Sequence, residues 1–313
     1  MKPFNRITCP ATAVATGLLA TLFLLASCSR DENDASGSET RARLTVSTVA
    51  IAAGGVSTNT RVPVLPTPVT TGTLGVGIRA ANGYAAQTGL VYTYSNGAWT
   101  SSSASVVLGK DPVSLYAYYP QDSYTPDGDG KISLATQAYT ETKDLGYALS
   151  GGENVCSTHP YAGFVLKHAY ARVKVDITFS SFFADATVLS MVGVTAGGLY
   201  ADAKLALTDG TITMGTSLPK LEWTSGQALS TIGRKYTGDM LVVPSATVTN
   251  AKLNIALGNG SSWTSDISSA LTSLEAGKSY HIRAFMGAVL IIDKVEVEDW
   301  TTGATQDGDT QFE

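Results

Sequence analysis

The chain has 313 residues, of which 44% are hydrophobic and 15% charged, with 31 glycines and a formal net charge of -5. This composition excludes an intrinsically disordered chain. The acidic balance disfavours nucleic acid as a partner, because phosphate neutralisation needs a basic surface. The length suffices for two ordinary domains, and low charge with many glycines is typical of an all-β extracellular protein.

The beginning of the chain has the pattern of a bacterial lipoprotein signal. A basic start and an apolar segment, too short to span a bilayer, lead to Leu25-Ala26-Ser27-Cys28. Residues 1–27 are therefore predicted to be a signal peptide, and Cys28 to carry acyl chains such as palmitate. The acid-rich residues 29–34 resemble the surface-export signal of Bacteroidetes lipoproteins. An ordinary signal with an incidental cysteine, followed by a solvated linker, is the alternative.

A strand is predicted next, at residues 44–52, with Leu44, Val46, Val49 and Ile51 as its apolar positions. The apolar phase changes between Val46 and Val49, so one strand needs a bulge or burial on both faces. Residues 53–63 are rich in small polar residues and predict an exposed loop that contains Arg61. Proteases cut at such loops, although an ordinary loop arginine is the alternative.

The residues up to 160 predict a series of short strands. Residues 73–79 and 90–94 are strand candidates, and Asn96-Gly97 is a strong hairpin turn signal. A second hairpin is predicted between residues 105–108 and 113–119. Asp127-Gly128-Asp129-Gly130 predicts a tight turn rather than a calcium loop, since the other ligands are missing. Loop-like composition at residues 150–160 places a domain boundary there.

The second half opens with the longest predicted strand, residues 164–179, in which the odd positions from Ala169 to Phe179 are apolar. Asp209-Gly210 predicts a hairpin turn between residues 203–207 and 211–214. The other strand candidates are residues 188–195, 240–243, 253–257, 281–285, 288–292 and 295–298.

Several kinds of chemistry are not indicated. Cys156 would be alone in the mature chain, which predicts no intrachain disulfide and a quiet, partly buried thiol. The three histidines do not form a metal-ligand spacing, and no nucleophile elbow or zinc motif is visible. The sequence therefore predicts no enzyme, no metal and no cofactor.

Several motifs together resemble the fimbrillins of Bacteroidales, that is, the type V pilins and their minor-fimbrillin relatives. The lipobox at Cys28 and the strand followed by Arg61 match the start of that family. The other matching segments are residues 115–120, 166–173, 276–280 and 295–300. Each segment alone is weak, but their order spans nearly the whole chain.

The resemblance implies two tandem transthyretin-like β-sandwiches. These would be residues 62–160 and 161–313, behind a lipidated propeptide at residues 28–61. In that family the precursor reaches the cell surface and outer membrane as a lipoprotein, and an arginine-specific protease cuts the loop, here after Arg61. The first strand then leaves with the lipid. Arg43 and Arg41 are alternative cuts, but they would leave the strand in place.

The resemblance also implies assembly by strand exchange with other fimbrial subunits. The vacated groove would accept a C-terminal strand of a neighbouring subunit, drawn from residues 288–300. Its apolar positions are predicted to be Val289, Ile291, Val295 and Val297. The sequence thus favours an adhesive fimbrial subunit. The alternative is a monomeric surface lipoprotein that binds glycans through Trp99, Trp223 and Trp263.

Overall fold

The structure is a computed structural model that describes residues 41–52, 65–101 and 106–300. The predicted lipidation site Cys28 and the predicted cleavage site Arg61 lie outside these residues. The two helices in the described ranges are single 3-10 turns, Gln121–Ser123 and Glu141–Lys143. No helix within those ranges is long and apolar enough to cross a membrane.

The remaining regular structure is extended. The first twelve strands are β1 Ala42–Arg43, β2 Thr45–Ile51, β3 Thr67–Pro68, β4 Thr73–Ile78, β5 Gln87–Ser95, β6 Ala98–Ser101, β7 Val107–Leu108, β8 Leu115–Tyr119, β9 Lys131–Ala135, β10 Gln137–Ala138, β11 Gly146–Ala148 and β12 Tyr161–His168. The other ten are β13 Ala171–Phe179, β14 Val188–Tyr200, β15 Asp202–Ala206, β16 Ile212–Met214, β17 Ser217–Ala228, β18 Lys235–Val242, β19 Thr249–Leu257, β20 Ser262–Asp266, β21 Lys278–Met286 and β22 Leu290–Asp299. The all-β class predicted from the sequence is confirmed.

The first half of the chain forms an eight-stranded sheet in the order β3-β2-β12-β11-β8-β4-β5-β6. Five strands separate β2 from β6 in this order, yet the two strands contact each other, which shows that the sheet is strongly curved. Its buried side chains form one core, in which Val46 of β2 and Trp99 of β6 both lie. The short pair β1-β7 extends this core at the start of the chain.

The second half is a sandwich of two sheets. One sheet has the order β10-β18-β13-β21-β22, and the other has the order β17-β14-β19-β20. Alternate residues of both sheets, such as Val175 of β13 and Val192 of β14, are fully buried in a shared core. This alternation of buried and exposed positions is what a strand with one face on the core requires.

The two halves are joined by paired strands and by a third core. β9 from the first half pairs with β15 from the second, and β10 pairs with β18. The third core contains Tyr116, Tyr124 and Tyr147 from the first half, together with Leu205 and Trp300 from the second. Hydrogen bonding and apolar contact therefore both cross between the halves.

The predicted turns agree with the structure. Asn96 and Gly97 join β5 to β6 with φ angles of 51° and 82°, the left-handed region that a two-residue hairpin turn requires. Asp209-Gly210 lies between β15 and β16, which pair as predicted. In the tight turn, the Asp127 carboxylate accepts hydrogen bonds from the backbone N–H groups of Asp129 and Lys131.

Two predicted elements are wrong. The strand predicted at residues 164–179 is divided at Ala169 and Tyr170, where the chain passes from β12 in the first sheet to β13 in the second half. Both residues at the bend are fully buried, so the alternation of apolar residues continues through it and conceals it. The hairpin predicted between residues 105–108 and 113–119 does not form, because β7 pairs with β1 and β8 pairs with β4 and β11.

The division into two tandem sandwiches with a boundary at residue 160 stays a prediction. β12, at Tyr161–His168, hydrogen-bonds to β2 and β11 in the eight-stranded sheet. Backbone pairing therefore crosses the predicted boundary.

Two glycines of β4 lie directly beneath tyrosine rings of β8, and they generate a stability prediction. A Cβ at Gly77 would come within 2.0 Å of Tyr116 Cζ, and one at Gly75 within 2.1 Å of Tyr118 Cζ. Both rings are buried. Because overpacking forces such groups apart, we expect Gly77→Ala to lower the free energy of unfolding by about 1–3 kcal/mol.

The matched control is Gly128→Ala, at a turn position where a Cβ would meet nothing within 4 Å. This variant should stay within about 0.5 kcal/mol of the wild type in chemical denaturation. Equal effects of the two substitutions would contradict the close contact between glycine and ring.

Candidate functional site

The predicted removable strand is an integral part of the first sheet. β2 runs parallel to β12 and antiparallel to β3. Leu44, Val46 and Val49 are buried in the first core, and Ile51 is partly buried against it. All four apolar residues predicted for this strand therefore face the core, whereas the removal of the strand stays a prediction.

A bulge explains the change of apolar phase in β2. The register with β12 shifts after the pair Val46–Ala162, so that Ser47 is an extra residue before Thr48 pairs with Gly163. The Ser47 hydroxyl donates a hydrogen bond to the Ala162 carbonyl at 2.9 Å. A Cβ on Gly163 would come within 2.7 Å of Thr48 Oγ1, so the glycine gives the bulge its space.

Removal of β2 would leave a gap that we call the β2 groove, the space between β12 and β3 over the first core. β12 has its other neighbour, β11, only at Lys167 and His168. Further upstream, its pairing partner is β2. Hydrogen bonds from Thr45 to Pro160 and from Ala52 to Leu166 extend the pairing to both ends. An empty β2 groove would expose unpaired backbone groups and apolar core side chains together.

The alternative cleavage sites lie on the near side of this strand. Arg43 belongs to β1, where it pairs with Val107, and its side chain is exposed. The next residue, Leu44, is buried and donates a backbone hydrogen bond to Val106. A cut after Arg41 or Arg43 would leave β2 attached to the body of the protein, as the sequence predicts.

The predicted donor strand is an edge strand. β22 is the last strand in the order of its sheet and pairs with β21. The four positions predicted for its apolar face are divided: Val295 packs against the core, while Val289, Ile291 and Val297 are 61%, 49% and 50% exposed. The donor role itself stays a prediction.

A bulge in β22 explains why Val289 and Ile291 do not lie on the same side of the strand as Val295. Ile292 pairs with Ala284 and Lys294 pairs with Arg283, which leaves Asp293 as an extra residue. The alternation shifts by one at this point, so Leu290 and Ile292 share the core-facing side with Val295. The residues predicted from the sequence for the first half of the strand, Val289 and Ile291, therefore lie on the side away from the core.

The opposite face of β22 carries ion pairs. The Glu296 carboxylate contacts the Lys294 ammonium and lies 3.3 Å from the Arg283 guanidinium of β21. The hydrogen bond from Lys294 is the main cause that lowers the pKa of Glu296 from its ordinary value of 4.5, and Arg283 adds to the effect against partial burial. Lys294 belongs to the same strand as Glu296, so the contact with Arg283 is the one that favours the docked strand when Glu296 is ionised.

Trp300, directly after β22, fixes the end of the described chain. Its ring is 2% exposed and stacks on His168 with 4.1 Å between the ring centroids. Its backbone N–H donates to the Gly277 carbonyl at 2.8 Å. His168 belongs to the first half of the chain, so β22 is attached to both halves through one side chain.

A charged pair completes the surroundings of this ring. The Arg172 guanidinium lies 5.5 Å from the Trp300 ring centroid and 3.8 Å from that of Tyr139. It also donates hydrogen bonds to both carboxylate oxygens of Asp239. Burial would lower the pKa of Arg172, but the Asp239 carboxylate raises it above its ordinary value. The sequence shows Trp300 at the end of a strand, but none of its contacts, because its partners lie far away in the chain.

The tryptophans proposed as a glycan-binding surface serve the cores instead. Trp99 and Trp223 are buried, and Trp263 is partly buried against the core of the second half. Trp263 also makes an edge contact with Phe183, with 5.7 Å between ring centroids. A sugar needs an exposed aromatic face for stacking, and none of these three side chains is an exposed ring.

Comparison with known proteins gives a family and a fold. The family model described as fimbrillin-like matches residues 36–300. A candidate cell adhesion protein from Bacteroides uniformis, whose crystal structure is known, is 20% identical, with 83% of this chain and 99% of that chain covered and a TM-score of 0.57. A candidate cell adhesion protein from Bacteroides ovatus is 16% identical, with 84% and 100% covered and a TM-score of 0.56. A search of curated proteins found no match.

The position of Trp300 predicts its effect on β22. Trp300→Ala removes a large buried ring and should lower the free energy of unfolding by about 3–5 kcal/mol. It should also increase amide hydrogen exchange in β22 more than in β13 of the same sheet. Trp300→Phe keeps a stacked ring and should have a smaller effect. Unchanged exchange in β22 of the alanine variant would show that Trp300 does not hold the strand.

The ion pairs of Glu296 predict a pH dependence. Because the folded-state pKa is lowered, the contribution of Glu296 to stability is present above its ordinary value of 4.5 and is lost as pH falls through the lowered pKa. At neutral pH the free energy of unfolding of the wild type should exceed that of Glu296→Gln by up to about 1 kcal/mol, since the ion pair is partly exposed. This difference should disappear at acidic pH. Urea unfolding from about pH 6 to about pH 3 measures this difference. A difference that is independent of pH would contradict the prediction.

Proposed function

The chain belongs to the fimbrillin-like family, and we propose that it is a fimbrial subunit that is exported as a lipoprotein, cleaved after Arg61 and assembled by donor-strand exchange. Its place is the cell-surface fimbrium, where it supports adhesion. Before cleavage, acyl chains on Cys28 hold it in the outer membrane. Its partners are other fimbrial subunits and an arginine-specific surface protease.

One observation carries this proposal: β2 is a complete strand of the first sheet, placed between the predicted lipidation site and the predicted cleavage site. Its contacts with β12 and β3 are made by residues 45–51, all upstream of Arg61. A single cut after Arg61 would therefore free the whole strand together with the lipid. The same cut would leave the rest of the sheet in the body of the subunit.

The energetics of the β2 groove favour its being refilled. Burial of Leu44, Val46 and Val49 contributes about 1.5–3 kcal/mol for each side chain, as an upper estimate. The backbone groups of β12 that pair with β2 would also lose their partners. An extended strand from another subunit restores both kinds of contact at once, which is the basis of recognition by strand addition.

β22 has the properties that such a donor needs. It lies at the edge of its sheet, where β21 is its pairing neighbour. Its exposed side chains include apolar residues that a free subunit gains nothing by exposing, among them Ile291 and Val297. The proposal assigns the donor to residues 288–300.

The absence of a catalytic role is part of the same proposal. In the ranges that the structure describes, no group of three or more His, Cys, Asp and Glu side chains could hold a metal ion. Cys156 is buried, with its Sγ 3.2 Å from the Thr158 hydroxyl.

Limited digestion tests the proposed function. The purified full-length chain, treated with an arginine-specific protease, should acquire a new N-terminus at Val62 and form a ladder of multimers on an unheated detergent gel. The reason is that loss of β2 opens the β2 groove. Arg61→Ala should block both results, whereas Arg43→Ala should block neither.

The possible results lead to different conclusions. An N-terminus at Val62 without multimers would support the cleavage and overturn the strand exchange. Multimers that form equally well without a protease, or with Arg61→Ala, would overturn the role of cleavage. Resistance of the chain at Arg61 would favour a monomeric surface lipoprotein.

A further inference from the structure

The two terminal strands share one spacing of apolar residues. In β2 and the residue before it, the core-facing side chains are Leu44, Val46, Val49 and Ile51. In β22 the side chains with the same spacing are Leu290, Ile292, Val295 and Val297, of which the first three pack against the core of the second half. Both sets occupy the first, third, sixth and eighth positions of eight residues. Ordinary alternation would not give this spacing, because it contains a change of phase.

The bulge that causes the change of phase lies at the same position in both strands. In β2 the extra residue is Ser47, directly after Val46. In β22 it is Asp293, directly after Ile292. The two strands thus share the spacing of four apolar residues, although Val297 of β22 is half exposed where it now lies. They also share the position of the extra residue, which lies in a parallel pair with β12 for β2 and in an antiparallel pair with β21 for β22.

We infer that β22 of a second copy of this chain enters the β2 groove parallel to β12, in the register that places Leu290 where Leu44 lies. Ile292, Val295 and Val297 then take the positions of Val46, Val49 and Ile51. Asp293 takes the place of the bulged Ser47. The inference rests on the proposed function, since it needs β2 to leave, and it specifies which residues meet.

The charges of β22 exclude the neighbouring registers. A shift of one residue would place Asp293, Glu296 and Glu298 at core-facing positions in one direction, or Lys294 and Glu296 in the other. A shift of two would bury Lys294 and Asp299 in one direction, or Asp293 in the other. Buried charges without partners are strongly unfavourable, so the register with four apolar residues is favoured.

The bulge selects the direction. The spacing of the four apolar residues reads the same from either end, so it would also allow an antiparallel donor. The extra residue does not have this symmetry, because it follows the second apolar residue directly in both strands. A reversed donor would place its bulge one residue away from the position that the groove provides. A parallel donor matches both features.

The outer face of the groove fits the same register. β12 exposes Tyr161 and Val165, which lie beside Thr45 and Ala50 of β2. In the inferred register Ile291 lies beside Tyr161, so that two exposed apolar side chains cover each other. Glu296 then lies beside Val165, with its charge directed to solvent.

Cysteine pairs on this outer face test the inference. The full-length chain carries Cys156→Ala, and residues 1–61, with their two cysteines, are removed by the arginine-specific protease. Two variants match the parallel register: Val165→Cys with Glu296→Cys, and Tyr161→Cys with Ile291→Cys. Two crossed variants match a reversed donor: Val165→Cys with Ile291→Cys, and Tyr161→Cys with Glu296→Cys. Before cleavage all four should be folded monomers, because these positions are not in the core.

After cleavage and mild oxidation, the parallel variants should give at least about fivefold more disulfide-linked multimer than the crossed variants, since a disulfide needs close Cβ atoms. Heated, non-reducing gels measure the covalent product, and unheated gels measure exchange itself. Multimers on unheated gels with linkage mainly in the crossed variants, or equally in all four, would overturn the register and leave strand exchange standing. Failure of every variant and of the cysteine-free chain to form multimers would overturn the proposed function as well.

Discussion

The parallel pairing of β2 with β12 is the contact on which the first half of the molecule depends. On its other side, β12 pairs with β11 only through its last two residues. The strand that completes the sheet therefore comes from far upstream in the chain. β2 is short and is distant in sequence from β12. Its departure would therefore not require the strands that follow β12 in the chain to unfold. The same pairing makes its loss costly unless another strand replaces it.

The end of the chain is held in a different way. β22 has backbone pairing with one neighbour, and its core-facing side chains and ion pairs attach it to the second half. The Trp300 ring, between His168 and Arg172, adds an attachment at the junction of the halves. An edge strand, with one neighbour, can be released by local opening, whereas a central strand would require the sheet to come apart.

Much of the local structure could be predicted from the sequence, because the signals were local. The turns at Asn96-Gly97 and Asp209-Gly210 follow from residues that tolerate positive φ, and the lack of helical periodicity indicated the all-β class. The pairing of β7 with β1 and the passage between sheets at Ala169 are set by distant partners, so neither has a local signature.

The candidate site shows the same limit. The phase change in β2 was visible, because apolar residues stand on both sides of it. The bulge at Asp293 was not, because Ile291 and Ile292 are both apolar and only the register with β21 shows which one faces the core. The contacts of Trp300 join residues that no local pattern relates.

The junction between the halves has a mechanical consequence. β9 and β10 of the first half pair with β15 and β18 of the second, and a core of tyrosines and leucines fills the space beside them. Paired strands and a shared core oppose bending between the two halves. A fibre built from such subunits would be a chain of stiff segments, with its bending concentrated where one subunit meets the next. Its persistence length would then be set by the fit of the exchanged strand rather than by the subunit itself.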